Sequence, residues 1–254
     1  MRIKDAATGQ LTDVAPPHGR PLRVSVHTGA GPRPGPGDVR AMVVSDVLFR
    51  VAEADGTQVV VGYADGPPYA GSEDDRLLTA LGVNAPAVRA AGGDMADALG
   101  GAPDVSVVAA GASPPGPGGL VVAVGPVLAP PPPFGLDGDD DPDGLLALRL
   151  ALLGRPHAGP ADLAAPDVLT SARERLARWR RLVADWSGSV SRPMHEETAR
   201  RVRSAFHDNL DTPAALDALT RLAALDAVPD GARFEAFLDA DRVLALELPR
   251  DIGR

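Results

Sequence analysis

A loop rich in glycine and proline, residues 29–38, lies where a nucleotide could bind. The loop follows a predicted strand at residues 22–26 and opens a predicted helix, and backbone N–H groups at a helix start can hold a phosphate. Its prolines remove N–H donors, and an acidic residue at the helix start repels an anion. A rigid loop without a ligand is therefore the alternative. The candidate nucleotide-binding residues are Gly35, Gly37, Asp38 and Arg40.

Two polar residues, His27 and Thr28, follow the same predicted strand and are candidate ligand-binding residues. A structural role is the alternative for a single histidine. The other four histidines are scattered without metal-ligand spacing, and the chain has no cysteine, so we expect neither a zinc site nor a disulfide. The acidic run at residues 137–143 could bind a divalent cation, but it lacks the closing glutamate of an EF-hand, and a solvated linker is favoured.

Arginine is crowded on two predicted helices of the second half of the chain. Arginine suits phosphate contacts, which would make binding to nucleic acid sensitive to salt. The alternative is a solvated face paired with Glu174, Asp185, Glu196 and Glu197, and the net charge of −9 favours it. The candidate nucleic-acid-binding residues are Arg173, Arg180, Arg181, Arg200 and Arg203.

The elements that must position these residues form a βαβ unit. Apolar residues predict strands at 22–26 and 58–63, and helical spacing predicts a helix at 39–54 with Asp38 as its N-cap. A strand, a helix and a strand in this order require a right-handed crossover and a parallel sheet. Further strands are predicted at 105–109 and 120–124, and further helices at 74–81 and 90–99. Residues 21–125 thus form an α/β unit of about four strands.

The second half of the chain is predicted to be helical. We expect an α/β domain at 1–128, a Pro/Asp-rich linker at 129–143 and an all-α helical bundle at 144–254. The fold class is therefore α/β plus all-α, with a Rossmann-like parallel sheet followed by the bundle. Thr212 is expected to cap the fourth helix, with Pro213 in its first turn. The predicted helices are 145–153, 167–186, 194–209, 212–225 and 234–243.

The sequence contains no apolar run of membrane-spanning length and no apolar signal core near Met1. We therefore expect a soluble, cytoplasmic protein without a membrane partner. Richness in arginine, alanine, glycine and proline is typical of a high-GC bacterial genome.

The segment FHDNLDTPAAL, residues 206–216, resembles the "DDLNTPEAL" type of segment in the helical domain of cysteinyl-tRNA synthetases. Six further segments resemble the same class I synthetase family in the same order: residues 1–12, 40–50, 75–89, 141–153, 172–179 and 238–246. The resemblance implies a Rossmann-like catalytic domain, an amino-acid site near His27 and Thr28, and a helical bundle that contacts the stem of tRNA.

The catalytic signatures of that family are absent. Gly35-Pro36-Gly37-Asp38 stands where the family has its "HIGH" motif, and the proline-rich linker stands where it has the "KMSKS" lysines. The zinc site that selects cysteine in the family would begin near Val26–Thr28, where no cysteine stands. The family's second half-Rossmann region is shortened, and its anticodon region is expected to be truncated.

These departures favour a non-catalytic paralogue, a binding or regulatory pseudoenzyme without a cofactor. One alternative is a synthetase-derived ligase that acts on an amino acid and ATP in a biosynthetic pathway, with ATP or an aminoacyl-adenylate as ligand. Arg33 and Arg40 would then be the cations nearest the phosphates. Another alternative is a tRNA-binding or protein-binding module built on the arginine-rich helices. A homodimer is also expected, because loss of half a domain would uncover an apolar surface.

Overall fold

A computed structural model describes residues 1–16, 19–29, 34–64, 72–90, 94–113, 116, 118–128 and 141–254. Several residues of the sequence predictions lie outside these ranges: His18, one of the scattered histidines, Arg33, and nearly all of the linker with its acidic run. The chain begins with a hairpin of β1 (Arg2–Lys4) and β2 (Leu11–Asp13). Within the described residues, no helix is long and apolar enough to span a membrane.

A parallel five-stranded sheet forms the first half of the protein, which confirms the predicted fold class. Its strands are β3 (Leu22–His27), β4 (Val59–Ala64), β5 (Val88–Ala90), β6 (Val105–Val108) and β7 (Leu120–Ala123). They lie in the order β5-β4-β3-β6-β7, and every neighbouring pair is parallel. The fifth strand, β5, is absent from the sequence prediction because three residues show no readable alternation.

The helix α1 (Pro36–Ala54) lies against the sheet and is buried on almost every side, because the sheet covers one face and the bundle the other. A helix that is apolar all round is expected in such a place. It begins three residues earlier than predicted, with Gly35 as its N-cap. The prediction that Asp38 is the N-cap is therefore wrong: Asp38 lies in the first turn. The helix predicted at 90–99 is reduced to the short α3 (Met95–Ala98).

Five helices form the second half, as predicted. The helix α2 (Ser72–Ala80), from the first half, packs on the first of them. Thr212 does not cap α7; Asp211 does, with its carboxylate accepting from the Ala214 N–H, while the Thr212 hydroxyl donates to the Leu153 carbonyl. The helices are α4 (Pro142–Leu153), α5 (Pro166–Trp186), α6 (Glu196–His207), α7 (Thr212–Ala223) and α8 (Asp230–Leu244), followed by a 3₁₀ turn at Leu248–Asp251.

One continuous apolar core joins the sheet to the helices. In the bundle it is centred on Trp179, Trp186 and Phe237, whose rings meet edge to face with centroids 5.4 and 5.3 Å apart. Between the halves, β8 (Val127–Leu128) pairs in parallel with β9 (Ala161–Asp162). The domain boundaries proposed from the sequence stay a prediction.

The N-terminal hairpin docks on the turn between α6 and α7. The Lys4 N–H donates to the Asn209 side-chain oxygen at 2.8 Å, and the Asn209 N–H donates to the Arg2 carbonyl at 2.8 Å. Asn209 and Leu210 adopt left-handed backbone conformations, with φ of 57° and 50°, which turn the chain sharply here. Two of the segments that carry the family resemblance, residues 1–12 and 206–216, therefore lie against each other.

Candidate functional site

The strand order places the point where a ligand-binding crevice is expected at the carboxyl ends of β3 and β6. The chain continues to β4 on one side of β3, whereas β6 lies on the other side, so the two connections diverge here. Open parallel sheets bind ligands at such a point of divergence. His27 and Thr28 lie at this end of β3, and the Ala109 N–H after β6 donates to the His27 carbonyl at 2.9 Å. The structure thus brings His27, Thr28 and the start of α1 to one edge of the sheet.

A chain of buried polar side chains lies next to this edge of the sheet. The Ser25 hydroxyl lies 3.0 Å from His27 Nε2 and 2.9 Å from the Ser106 hydroxyl. Ser25 and Ser106 are 0% and 1% exposed, and His27 and Thr28 are buried as well. Polar groups are costly to bury, so a buried cluster at the ligand edge of a sheet is a candidate site. Sequence reasoning missed both serines, although each interrupts an apolar strand.

Asp38 places its own carboxylate at the start of α1, where a phosphate would bind. Its carboxylate accepts from the Gly29 N–H and from the Gly35 N–H, each at 2.7 Å. Gly37 lies in the same first turn, where an added Cβ would lie 3.9 Å from the Ala110 carbonyl oxygen. The carboxylate therefore acts as an internal anion at the positive end of α1. A nucleotide phosphate bound here would have to replace it or bind beside it.

We expect Asp38→Asn to lower the free energy of unfolding by about 1–2 kcal/mol, because it weakens two charge-assisted hydrogen bonds and an interaction with the helix dipole. Denaturant unfolding of the whole chain measures this. The control is Asp167→Asn, which removes an exposed carboxylate from the first turn of α5, and a loss of only a few tenths of a kcal/mol is expected there. Equal losses in the two variants would contradict the role given to the loop hydrogen bonds.

Arg40 holds two loops together. Its Nη1 donates to the carbonyls of Gly125, Pro126 and Gly159, and its Nη2 donates to that of Pro156 at 2.8 Å. Burial lowers the pKa of this guanidinium to about 10. These contacts fix residues 125–126 against residues 156–159, beside the pairing of β8 with β9. Contact between Arg40 and a nucleotide stays a prediction, and the side chain would have to leave these carbonyls to make it.

The five arginines proposed for nucleic-acid binding lie in different environments. Arg180 is 4% exposed, pairs with Asp143 and donates to the carbonyls of Leu246 and Glu247. It therefore connects α5 to the start of α4 and to the segment that follows α8. Arg173 is exposed and pairs with Asp141. Arg181, Arg200 and Arg203 are exposed on α5 and α6. Four of the five arginines are therefore on the surface, with Arg173 held in an ion pair and Arg180 buried in the bundle. Nucleic-acid binding by the set stays a prediction.

Acidic and histidine side chains are not clustered for metal binding in the part of the chain that the structure describes: no three of them are grouped there. His157 and His207 do not belong to the candidate site at β3 and β6. His157 is buried beside Arg40, and His207 lies 3.1 Å from Asp55 at the end of α1.

No family model matches the chain. Five curated proteins match part of it, all named L-cysteine:1D-myo-inositol 2-amino-2-deoxy-alpha-D-glucopyranoside ligase. The protein from Streptomyces griseus subsp. griseus is 45% identical over 85 residues, 34% of this chain and 20% of the relative. The Thermobispora bispora protein is 42% identical over 81 residues, 32% of this chain and 19% of the relative.

The Nakamurella multipartita protein is 35% identical over 95 residues, 37% of this chain and 22% of the relative. The matched part thus spans about a fifth of the length of these relatives. These relatives are named as cysteine ligases, and the similarity to them supports the synthetase-like resemblance seen in the sequence. They do not support the pseudoenzyme hypothesis, and they favour the alternative of a synthetase-derived ligase.

Proposed function

We propose that the protein is a synthetase-derived ligase that uses ATP to join L-cysteine to the amine of an amino sugar. The observation that carries the proposal is the similarity to cysteine ligases, up to 45% identical over a third of this chain. The Rossmann-like strand order agrees with it, because such folds bind their ligands at the carboxyl ends of the two strands that correspond to β3 and β6.

The reaction has two steps. The carboxylate of cysteine attacks the α-phosphorus of ATP, forming an aminoacyl-adenylate and releasing pyrophosphate. The amine then attacks the carbonyl carbon, the amide bond forms as AMP leaves, and the nitrogen loses one proton. Both steps gain from holding the reactants in a fixed orientation, which a crevice on a rigid sheet edge provides.

The buried chain of Ser25, His27 and Ser106 is assigned to the amino-acid end of the crevice. An imidazole and hydroxyl groups can hydrogen-bond the amino and thiol groups of cysteine. The start of α1 is assigned to the phosphates. Because Lys4 is the chain's only lysine, charge stabilisation at the phosphates rests on arginine and on backbone N–H groups.

Cysteine-dependent exchange between ATP and labelled pyrophosphate tests this function. We expect exchange with L-cysteine and much less with L-serine, and we expect His27→Ala and Ser106→Ala to lower it about tenfold or more, because the amino acid loses its orientation. Ser204→Ala, on the exposed side of α6, is the control and should keep full exchange. If the folded protein showed no exchange, the result would contradict the ligase function and favour the non-catalytic hypothesis.

Binding of tRNA by the exposed arginines stays a second prediction, as does a homodimer. A tRNA affinity that falls steeply with salt would support the first. Neither prediction is needed for the ligase function.

A further inference from the structure

A pocket lies between the middle of α1, β4 and the loop that follows α2. It has a volume of about 240 Å³. Phe49 and Tyr63 supply its aromatic walls, and Val59, Val61 and Val83 supply most of its aliphatic surface. A volume somewhat below the range of drug-sized sites indicates a ligand with one ring.

The pocket lies where the described helices cover only part of one face of β4: α1 packs against this face but leaves a gap beside it. Val59, Val61 and Tyr63 alternate along β4 and therefore point to the same face. The opposite face is covered by α3 through Met95 and Leu99. On the pocket side, α2 packs on α4 instead of lying along the strand, and Val59 and Val61 stay only half-buried.

Ser45 supplies a buried hydroxyl at the inner wall. The residue is 1% exposed, and its Oγ has no hydrogen-bond partner among the described residues. An unpaired buried hydroxyl costs free energy, and a ligand that paired with it would recover that cost. Burial also raises the pKa of the Tyr63 hydroxyl, with Asp46 adding to the effect, so this group stays protonated and can donate.

The one carboxylate in the pocket wall is already satisfied. Asp46 Oδ1 accepts from the backbone N–H and the side-chain amide of Asn84, each at 2.9 Å. Its Oδ2 accepts from Arg50 at 2.8 Å and from Arg149 at 2.6 Å. With four donors, two of them cationic, Asp46 offers no uncompensated negative charge to a cationic ligand. The apolar lining favours a neutral ligand, because burying a charge among the valines and aromatic rings would be costly.

We propose that this pocket binds a small neutral aromatic molecule that carries one hydroxyl or amide group. Its ring packs between Phe49, Tyr63 and the valines, and its polar group pairs with the Ser45 hydroxyl. The site is distinct from the crevice at β3 and β6, because Ser45 lies two turns below Asp38, about 10 Å along α1. The proposal is independent of the ligase function.

Titration of the full chain with phenol, followed by amide NMR, tests the proposal. We expect saturable binding with a Kd on the order of 1 mM and shifts confined to the pocket residues. Ser45→Ala is expected to weaken phenol about two- to tenfold and to leave the affinity for toluene unchanged, because only phenol can pair with the hydroxyl. Ser204→Ala, an exposed hydroxyl on α6, is the matched control and should change neither affinity.

Ala87→Phe provides a second variant that fills the pocket from an exposed position on its rim. It should abolish the binding of both probes while the amide spectrum stays that of a folded protein. Shifts outside the pocket, no saturation, or equal phenol affinity in the parent protein and Ser45→Ala would each overturn the proposal. Cysteine-dependent exchange is read separately in the parent protein, so failure of the ligase function leaves this result unaffected.

Discussion

Replacement of Arg149 by methionine is expected to lower the free energy of unfolding by about 3–5 kcal/mol. Arg149 lies in the apolar helix α4 and is 0% exposed. Its guanidinium bonds to Asp46 on α1, to the Leu81 carbonyl after α2 and to the Leu244 carbonyl at the end of α8. Methionine fills similar space but leaves a 1% exposed carboxylate and two carbonyls without these donors.

Denaturant unfolding at neutral pH measures this loss, with Arg181→Met on the exposed side of α5 as the control. The control should stay within about 0.5 kcal/mol of the parent protein. A double variant, Arg149→Met with Asp46→Asn, removes both charges and is expected to be no less stable than Arg149→Met alone. If Arg149→Met behaved like Arg181→Met, the buried pair would not hold α1 against the bundle.

The helices and strands were predictable because their apolar residues follow the period of the element. Arg149 shows where that reasoning ends. A single cation in the run LLALRLALL signals a buried partner, but nothing local identifies Asp46, which lies 103 residues away in the chain. Only the packing of α4 against α1 brings the two together. Strand β5 was missed for a different reason, because its three residues are held by pairing with β4 rather than by their own pattern.

The candidate site was predictable in position but not in detail. Its place after β3 follows from the βαβ pattern, and His27 and Thr28 do lie there. The two serines could be recognised as a pair only from the register of the sheet, because Ser25 and Ser106 lie opposite each other on neighbouring strands. Asp38 and Thr212 were both expected as helix caps because of their residue type. Each helix instead begins earlier in the chain, and the side chains bond to a loop and to another helix.

His157 is expected to make the fold sensitive to acid between about pH 6.5 and pH 4. Burial, and then the charge of Arg40, lower the pKa of its imidazole from 6.5 to about 4. The folded protein therefore holds this side chain neutral where the unfolded chain already binds a proton. Because the unfolded state binds more protons in this window, the free energy of unfolding falls as the pH falls, by about 3 kcal/mol in total. Below about pH 4 both states are protonated and this contribution is constant.

His157→Gln removes the titrating group from the same position, between α4 and α7. The difference between the unfolding free energies of the parent protein and the variant should shift by about 3 kcal/mol between pH 7 and pH 4, always to the disadvantage of the parent at low pH. The carboxylates titrate in both proteins, so their contributions to the free energy of unfolding cancel in this difference. The imidazole resonance of His157 gives an independent measurement in the folded state. If it titrates near pH 6.5, the side chain is not held neutral, and the acid sensitivity of the protein must come from its carboxylates instead.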